Sequence, residues 1–537
     1  MGNVEYETTG ICGSAQPGIE TPGNDRKNYR KKLKQHCMQR RNFLKISGLS
    51  AGTVVTGGSL AGFLVSCSGC KKEHHMGLMT EPVMVTEGDF SKLLSFPAQA
   101  GLNQTLTAQA TTANLKGTTI PVLGYQPNSL LGPTFKVNKG DAVNILLQNN
   151  LSEHTNIHWH GLKIPALMDG HPDQLADAGS NFRYQFTVNQ RAGLSWYHPH
   201  PHEKTGKQVF QGLAGLFIIN DAEESALNLP SGQYEIPLVI QDKRITNSGI
   251  TYNPSMEEVM AGYMGDSIVV NGIYSPYTDV STRYYRLRLL NGSNARVYNL
   301  ALSNNADIIV IGNDGGLLKN PVTIKEILIA PGERLDVLVN FSGVTVGTEL
   351  FLMSKEFVQG GAAQGKQSFR IMKFKVTSTV TDPFTVPANL SVISNIQVSS
   401  AVKTRTFDIS NAMEHHGYPM NDGMQMRHRI NGKLFDSNRI DENVAANTNE
   451  IWVFDNSKGD EQHPMHLHGV FFQVLDRTGG RGTRIASESG WKDTVLVMPG
   501  ETVRVLVPFE SNTGKFVFHC HNLEHEDDGM MLQYQLS

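Results

Sequence analysis

Short apolar runs rich in Val, Ile, Phe and Tyr alternate with polar turns along most of this 537-residue chain. The turns carry Asn-Gly, Pro-Gly and Gly-Asp pairs, which permit tight reversals between neighbouring strands. This pattern predicts an all-β protein built from many short strands.

Two sequence elements recur along the chain. One is a strand that ends in a polar loop, found around residues 137–150, 284–293 and 449–456. The other is a Pro-Gly-Glu turn followed by an apolar strand, found at residues 330–339 and 498–507. Three related β-sandwiches in tandem are the simplest account of these repeats. At ~150 residues per domain the length agrees with three domains, which we place at residues 96–226, 227–385 and 386–537.

The first 95 residues precede these predicted domains. Arg40-Arg41-Asn42-Phe43-Leu44-Lys45 is similar to a twin-arginine export signal, and a mildly apolar run follows from Ile46 to Val65. Leu64-Val65-Ser66-Cys67 resembles a bacterial lipoprotein box, so Cys67 is a candidate for lipidation and membrane attachment. A retained signal anchor or plain cleavage nearby is the alternative. We therefore expect an extension and signal over residues 1–66, a tether over residues 67–95, and a periplasmic or cell-envelope location in a bacterium.

Charge and cysteine content limit the classes of function that the sequence supports. The formal net charge is only −3 and no basic patch is present, which argues against a nucleic-acid partner. The five cysteines do not form a disulfide scaffold, because Cys12 and Cys37 precede the signal and Cys67 is the lipidation candidate. Cys70 is left in the polar tether and Cys520 lies among histidines. We expect the chain to act as a monomer.

The C-terminal segment concentrates metal-ligand chemistry around one cysteine. Successive side chains of a strand point to opposite faces, so His519 and His521 share one face, roughly 6.8 Å apart, and Cys520 points to the other. One strand can therefore serve two metal sites. A His/His/Cys set with a weak axial Met is the arrangement of blue-copper electron-transfer sites. Here that set is available from His463, Cys520, His525 and Met530.

Three further histidine pairs share the spacing of His519 and His521. They are His158-Trp159-His160, His198-Pro199-His200 and His466-Leu467-His468. A single pair of this kind is more often surface decoration or a hydrogen-bonded core residue, but four pairs together provide enough imidazoles to cage three copper ions. Residues 228–385 contain no histidine. The cluster is therefore expected between the first and third sandwiches, with the middle one as a spacer.

These motifs resemble the multicopper oxidases, a family that includes laccases, cuprous oxidases, bilirubin oxidases and ferroxidases. The similarity runs from about Pro121 to the C-terminus. Within the family, His158-Trp159-His160-Gly161-Leu162 and the run from Tyr197 to Gly215 are typical of bacterial three-domain members. The resemblance implies three tandem cupredoxin-like Greek-key β-sandwiches, with no copper in the second and the mononuclear copper in the third.

The resemblance also implies residues for four coppers in each chain. A mononuclear type 1 copper is implied at His463, Cys520, His525 and Met530. A type 2 copper is implied at His158 and His466, and a coupled type 3 pair at His160, His198, His200, His468, His519 and His521. Cys520 would conduct electrons between the sites. Asp169 and Glu526 match the family's proton-relay positions, and the alternative for both is an ordinary solvated or salt-bridged carboxylate.

The implied activity is the oxidation of Cu(I) or phenolic donors, one electron at a time, coupled to the four-electron reduction of dioxygen to water. It would serve copper tolerance or laccase-like oxidation. The alternative is a copper-sequestering envelope protein without significant turnover. Soft thioethers that favour Cu(I) gather in one segment and suggest an accessory copper site, or else simply pack a loop. They belong to Met413, Met420, Met424 and Met426.

Overall fold

The computed structural model describes residues 83–357, 364–410 and 427–537. The predicted export signal, the lipidation candidate Cys67 and the four methionines of the segment from Met413 to Met426 lie outside the described residues. Within those residues, no helix has the length and apolar character needed to cross a membrane.

The first sandwich is formed by two four-stranded sheets, in the orders β4-β3-β6-β7 and β2-β5-β9-β8. Strand β6 shows why these segments form strands, since Val143, Ile145 and Leu147 are buried in the core and alternate with more exposed residues. The opening strands are β1 (Lys92–Leu93), β2 (Gln99–Ala100), β3 (Asn103–Leu115), β4 (Thr118–Gly124), β5 (Thr134–Asn138), β6 (Ala142–Asn149), β7 (Asn181–Thr187), β8 (Gly193–Tyr197) and β9 (Gly215–Asn220). Helices α1 (Thr205–Gln211) and α2 (Ala222–Ser225) lie on either side of β9 in the chain.

The middle sandwich is larger, and its sheets have the orders β1-β15-β23-β22-β17-β20 and β14-β13-β10-β16-β21-β18-β19. Its strands are β10 (Glu235–Lys243), β11 (Ile245–Thr246), β12 (Gly249–Ile250), β13 (Ser267–Val270), β14 (Ile273–Tyr274), β15 (Pro276–Ser281), β16 (Tyr284–Asn291), β17 (Tyr298–Leu302), β18 (Ile308–Asn313), β19 (Gly316–Ile324), β20 (Glu326–Ile329), β21 (Arg334–Asn340), β22 (Glu349–Ser354) and β23 (Phe369–Ser378). Strands β11 and β12 pair only with each other, and helix α3 (Met256–Ala261) follows them.

The third sandwich has sheets ordered β24-β26-β30-β28 and β25-β32-β31-β27-β29. Its strands are β24 (Ala401–Asp408), β25 (Glu442–Val444), β26 (Thr448–Asp455), β27 (His463–Leu467), β28 (Gln473–Gly479), β29 (Thr494–Val497), β30 (Glu501–Phe509), β31 (Gly514–Cys520) and β32 (Met531–Leu536). Helix α4 (Leu523–Asp527) joins β31 to β32. Short 3₁₀ helices lie at Ala166–Met168, Gly232–Tyr234, Val398–Ser400 and Ala486–Glu488.

Strands that are distant in the chain pair inside each sandwich. Strand β5 pairs with β9, β10 with β16, and β26 with β30. Such pairings require the chain to cross from one sheet to the other, as in Greek-key folds. The all-β, cupredoxin-like fold class expected from the sequence is confirmed.

The three repeated polar loops are held in place by the same pattern of hydrogen bonds. Each loop begins with a fully buried asparagine. Its side-chain amide donates hydrogen bonds to two backbone carbonyls, one a few residues further along the chain and one from a distant segment. Asn149 donates to Glu153 and Ala176, Asn291 to Arg296 and Ile329, and Asn456 to Glu461 and Met498. In the first and third sandwiches the chain after this asparagine leads into one histidine pair, His158/His160 or His466/His468, so the amide fixes a loop that contributes to the site.

The segment predicted as a tether is partly folded. Lys92 and Leu93 form β1, which pairs in parallel with β15 at the edge of the middle sandwich. Val85 and Leu94 are buried in the core of that sandwich. The sequence-based boundary at residue 95 missed this, because a strand of two residues has too little alternation to be recognised. The other domain boundaries stay predictions.

Candidate metal centre

Two strand pairings bring the four histidine pairs together. In the third sandwich, β27 and β31 are antiparallel, with His466 opposite His519 and Met465 opposite Cys520. In the first sandwich, the backbones of His158 and His198 form an isolated antiparallel bridge. The spacing of two residues therefore places both members of each pair on the face where the two sandwiches meet.

The eight paired histidines are all buried, with at most 1 % of each residue exposed. Burial and the neighbouring imidazoles hold the pKa of His158, His466 and His468 well below the ordinary value. Burial likewise lowers the pKa of His198 to about 4 and that of His200 to about 3. Neutral imidazole is the form that binds metal ions.

The ring nitrogens separate the eight histidines into three groups. His158 and His466 form a pair whose Nε2 atoms lie 3.4 Å apart. His200, His468 and His519 form a triad, because the Nε2 of His519 lies 3.1 Å from the Nε2 of each of the other two.

The third group is His160, His198 and His521, with ring centroids 4.9 to 5.7 Å apart. The pair consists of the residues implied for the type 2 copper, and the two triads together are the six residues implied for the type 3 pair; the assignment of coppers to them stays a prediction. The three groups are in close contact, since the ring of His158 stacks on that of His468 with centroids 3.7 Å apart and the ring of His160 stacks on that of His466 with centroids 3.8 Å apart. Ligand atoms of His158 also lie within 4.8 Å of those of His160 and His198.

Asp169 lies between two of the histidines. The Nδ1 of His158 donates to the backbone carbonyl of Asp169 over 2.7 Å, and the Nδ1 of His468 lies 2.6 Å from its carboxylate Oδ2. A carbonyl oxygen only accepts, so the hydrogen of His158 is on Nδ1 and its Nε2 is free to bind a metal. Burial raises the pKa of Asp169 well above its usual range.

Glu526 lies on the opposite side of the cluster. Its Oε2 is 3.1 Å from the Nδ1 of His519, and its Oε1 is 3.5 Å from the Nδ1 of His200. Burial alone would raise the pKa of Glu526, but the interactions with His200 and His519 outweigh it and hold the pKa at about 2. The sequence prediction of carboxylates beside this cluster therefore agrees with the positions of Asp169 and Glu526.

The thiol of Cys520 faces a second group of residues. Its Sγ lies 3.5 Å from the Nδ1 of His463 and 3.6 Å from the Nδ1 of His525. Met530 is buried in the same core cluster as Cys520, and its carbonyl accepts a hydrogen bond from the Cys520 amide over 3.1 Å. Burial raises the pKa of the Cys520 thiol, so a thiolate here needs a bound cation.

Sequence reasoning missed a third imidazole beside His463 and His525. The buried ring of His428 lies on that of His525, with centroids 3.7 Å apart. The Nε2 atoms of both rings donate to the carbonyl of Met260, over 2.9 and 2.8 Å. No motif marks His428, which is a lone histidine far from the pairs in sequence; only the fold brings it here.

The middle sandwich is more than the spacer expected from its lack of histidine. Met260, at the end of α3, holds His525 and His428. Gly332, with φ of +81°, packs against the ring of His521, and a Cβ at this position would lie 2.9 Å from the imidazole. The middle sandwich therefore contacts both groups of histidines through backbone atoms, which side-chain motifs do not reveal.

Helix α4 connects the two sites and ties the sandwiches together. Asn522 caps it, and its five residues include His525 and Glu526. Asn294 of the middle sandwich donates to Glu524 over 2.8 Å, and the amide of Gly206 in α1 donates to Asp527 over 2.8 Å. These contacts fix the helix, and with it the side chains that it directs to the two sites.

The donor sets fit copper. Several buried ring nitrogens have no hydrogen-bond partner among the residues that the structure describes, which leaves them free for a metal. They include Nδ1 of His160, Nε2 of His198 and both nitrogens of His521. Imidazoles alone suit copper in the larger cluster, and a thiolate with two imidazoles and a thioether suits it in the smaller one.

Comparison with known proteins agrees with this chemistry. Three multicopper oxidase family models match residues 107–224, 251–371 and 405–537. The chain belongs to the multicopper oxidase family. The family resemblance inferred from the motifs is thereby confirmed.

Curated relatives of this multicopper oxidase include enzymes and one protein named for another process. The present chain is 40% identical over 441 residues to multicopper oxidase mco of Staphylococcus haemolyticus, and the match covers 81% of this chain and 88% of that one. It is 32% identical to a Bacillus subtilis laccase, covering 74% of this chain and 87% of the laccase. It is also 32% identical to the cell division protein FtsP of Escherichia coli, covering 75% and 83%.

Solved structures of multicopper oxidases share the fold. McoA of the hyperthermophile Aquifex aeolicus superposes with a TM-score of 0.75 at 35% identity, covering 83% of this chain and 99% of that one. The Campylobacter jejuni multicopper oxidase, described as a metallo-oxidase, superposes with a TM-score of 0.73 at 27% identity, covering 85% and 98%.

Replacing Cys520 with serine tests the smaller site. Because Cys520→Ser removes the thiolate, we expect complete loss of the blue absorption of the copper-loaded protein, measured by visible spectroscopy. The matched control is Met531→Leu, which changes a neighbouring buried thioether and should leave the colour intact. A Cys520→Ser protein that is as blue as the parent would contradict the assignment of this site.

Proposed function

We propose that this multicopper oxidase couples the oxidation of Cu(I) or phenolic donors, one electron at a time, to the four-electron reduction of dioxygen to water. One observation carries the proposal. The end of β31 presents Cys520 to one buried site, while its neighbours His519 and His521 face the other.

The four coppers of the proposal are held by residues that the fold brings together. The type 1 ion would be held by His463, Cys520, His525 and Met530. The type 2 ion would be held by His158 and His466, and the type 3 pair by His160, His198, His200, His468, His519 and His521. When bound, copper cycles between Cu(I) and Cu(II) and so accepts and delivers single electrons.

The protein's own residues account for the remaining requirements. Cys520 is bonded through the backbone to His519 and His521, so the two sites are joined by the shortest possible covalent path. Asp169 and Glu526 lie at the Nδ1 sides of cluster histidines and are proposed to orient those rings and to supply protons for water formation. Burial of the cluster excludes bulk water from it.

The donor is proposed to approach near His463, where two carboxylates precede it. Asp460 is exposed and Glu461 is partly exposed. Burial and the neighbouring Asp460 raise the pKa of Glu461 to about 7, so its negative charge adds to that of Asp460 only above this pH. This charge favours a cationic donor such as Cu(I) over a neutral phenol. The candidate accessory methionines from Met413 to Met426 lie outside the described residues and stay a prediction.

Oxygen uptake by the copper-loaded protein is the direct test of the activity. Cu(I) and a methoxyphenol are offered separately, the phenol with and without added Cu(II), and Cys520→Ser is the inactive control. Strong uptake with Cu(I), with phenol turnover only when Cu(II) is added, would indicate a copper-detoxifying oxidase. Efficient phenol turnover without added copper would indicate a laccase.

The second candidate function is copper sequestration without turnover. The similarity to a cell division protein supports a non-catalytic role as the alternative. The complete set of buried donors favours the oxidase. If the protein binds copper but consumes no oxygen with either donor, the sequestering role replaces the oxidase.

The two carboxylates before His463 provide a test of the donor. Because they attract a cation, we expect Asp460→Ala combined with Glu461→Ala to raise the KM for Cu(I) by about two- to fivefold and to leave the KM for a neutral phenol unchanged. Steady-state oxygen uptake measures both. Asp307→Ala removes an exposed carboxylate of the middle sandwich and is the control. Equal KM values for Cu(I) in the double variant and the parent would rule out this docking role.

Export and lipid attachment are proposed from the motifs at Arg40-Arg41 and Leu64-Val65-Ser66-Cys67. We expect the mature protein to fractionate with membranes of a bacterial host and Cys67→Ser to release it, as followed by immunoblotting. Cys70→Ser is the matched control, since it changes a cysteine outside the motif. Identical membrane association of Cys67→Ser and the parent would contradict lipidation of Cys67.

A further inference from the structure

A buried arginine of the middle sandwich contacts all three sandwiches at one point. Arg334 begins β21 and is fully buried. Its Nε donates to the carbonyl of Leu194 in the first sandwich over 3.0 Å, and its other nitrogens donate to the carbonyls of Gly332 and Asp314 in the middle one. Both terminal nitrogens also bind the carboxylate of Asp493 in the third sandwich.

Asp493 in turn touches two histidines of the larger cluster. Its Oδ1 lies 3.3 Å from the Nε2 of His160, and its backbone carbonyl accepts a hydrogen bond from the Nδ1 of His466 over 2.9 Å. Thr494 donates to the same Oδ1 over 2.9 Å. The carboxylate is therefore fixed by Arg334 on one side and meets the cluster on the other.

This contact decides which nitrogen His160 offers to a metal. A carboxylate that is paired with a guanidinium carries no hydrogen and can only accept hydrogen bonds. The hydrogen of His160 is therefore on the Nε2 atom that faces Asp493. Its Nδ1, buried and without a hydrogen-bond partner in the described part of the chain, is then the free nitrogen. His158 and His466 are oriented the other way, since their Nδ1 atoms donate to carbonyls and leave Nε2 free.

We propose that Arg334, acting through Asp493, is a positioning residue for His160 and His466 and so for the two different coppers that these histidines would hold. The inference rests on copper occupying this cluster, which is part of the proposed function. Arginine is required because only its planar fork holds both carboxylate oxygens at once while also reaching the carbonyls of two sandwiches. A lysine at this position keeps the charge but loses the paired geometry.

The test uses the copper-loaded full chain carrying Arg334→Lys or, separately, Asp493→Asn. Copper affinity of the cluster is measured by competition with a chelator. The EPR signal of type 2 copper and the near-ultraviolet absorption of the coupled pair report the two kinds of site directly. Thermal unfolding and the blue absorption of the Cys520 site report the rest of the protein.

We expect both variants to weaken copper binding in the cluster by about 10–100-fold, with altered EPR and near-ultraviolet signals, while the blue absorption is retained. Arg288→Lys is the matched control. Arg288 is another buried arginine of the middle sandwich, paired with Glu224 and Glu235, and its replacement should leave the cluster signals unchanged.

Three results would overturn the inference. Unchanged cluster signals and affinity in both variants would show that Arg334 does not position the metal. Equal loss of the blue absorption and the cluster signals, with the same loss in Arg288→Lys, would show that it only stabilises the fold. A parent protein without any type 2 signal would overturn the proposed function together with this inference, whereas an intact parent signal confines a negative result to Arg334.

Discussion

The alternation of side chains along β31 is the constraint on which both candidate copper sites depend. Because neighbouring residues of a strand point to opposite faces, Cys520 turns toward His463 and His525 while His519 and His521 turn toward the cluster between the sandwiches. The rest of the site is built around this strand. Strand β27 pairs with β31 in register, and the first sandwich covers the face of β31 that carries His519 and His521.

Burying eight imidazoles together would be costly without partners for their second nitrogens. The structure meets this cost largely with oxygen atoms of the protein that only accept. The backbone carbonyls of Asp169, Pro199 and Cys520 accept hydrogen bonds from the Nδ1 atoms of His158, His198 and His519. Each such bond fixes both the tautomer and the ring orientation. The cluster is therefore shaped by the hydrogen bonds around it before any metal is considered.

The sequence predicted the all-β class, the family and the paired histidines, because a spacing of two residues on a strand is local information. It did not predict His428, Asp493 or Arg334. Each is a single residue whose neighbours are distant in the chain, so no local pattern marks it. The folded end of the tether was missed because β1 has only two residues. The middle sandwich was taken for a spacer because its contributions, such as the Met260 carbonyl, are backbone atoms.

Helix α4 has a consequence for how such a chain can evolve. In five residues it carries Glu524 bound to the middle sandwich, His525 in the smaller site, Glu526 beside the larger one, and Asp527 bound to α1. An inserted or deleted residue would rotate the side chains that follow it by about 100° around the helix axis relative to those before it, so that the four could no longer reach their partners together. The length of this stretch is therefore constrained, and insertions in the chain are expected in loops elsewhere.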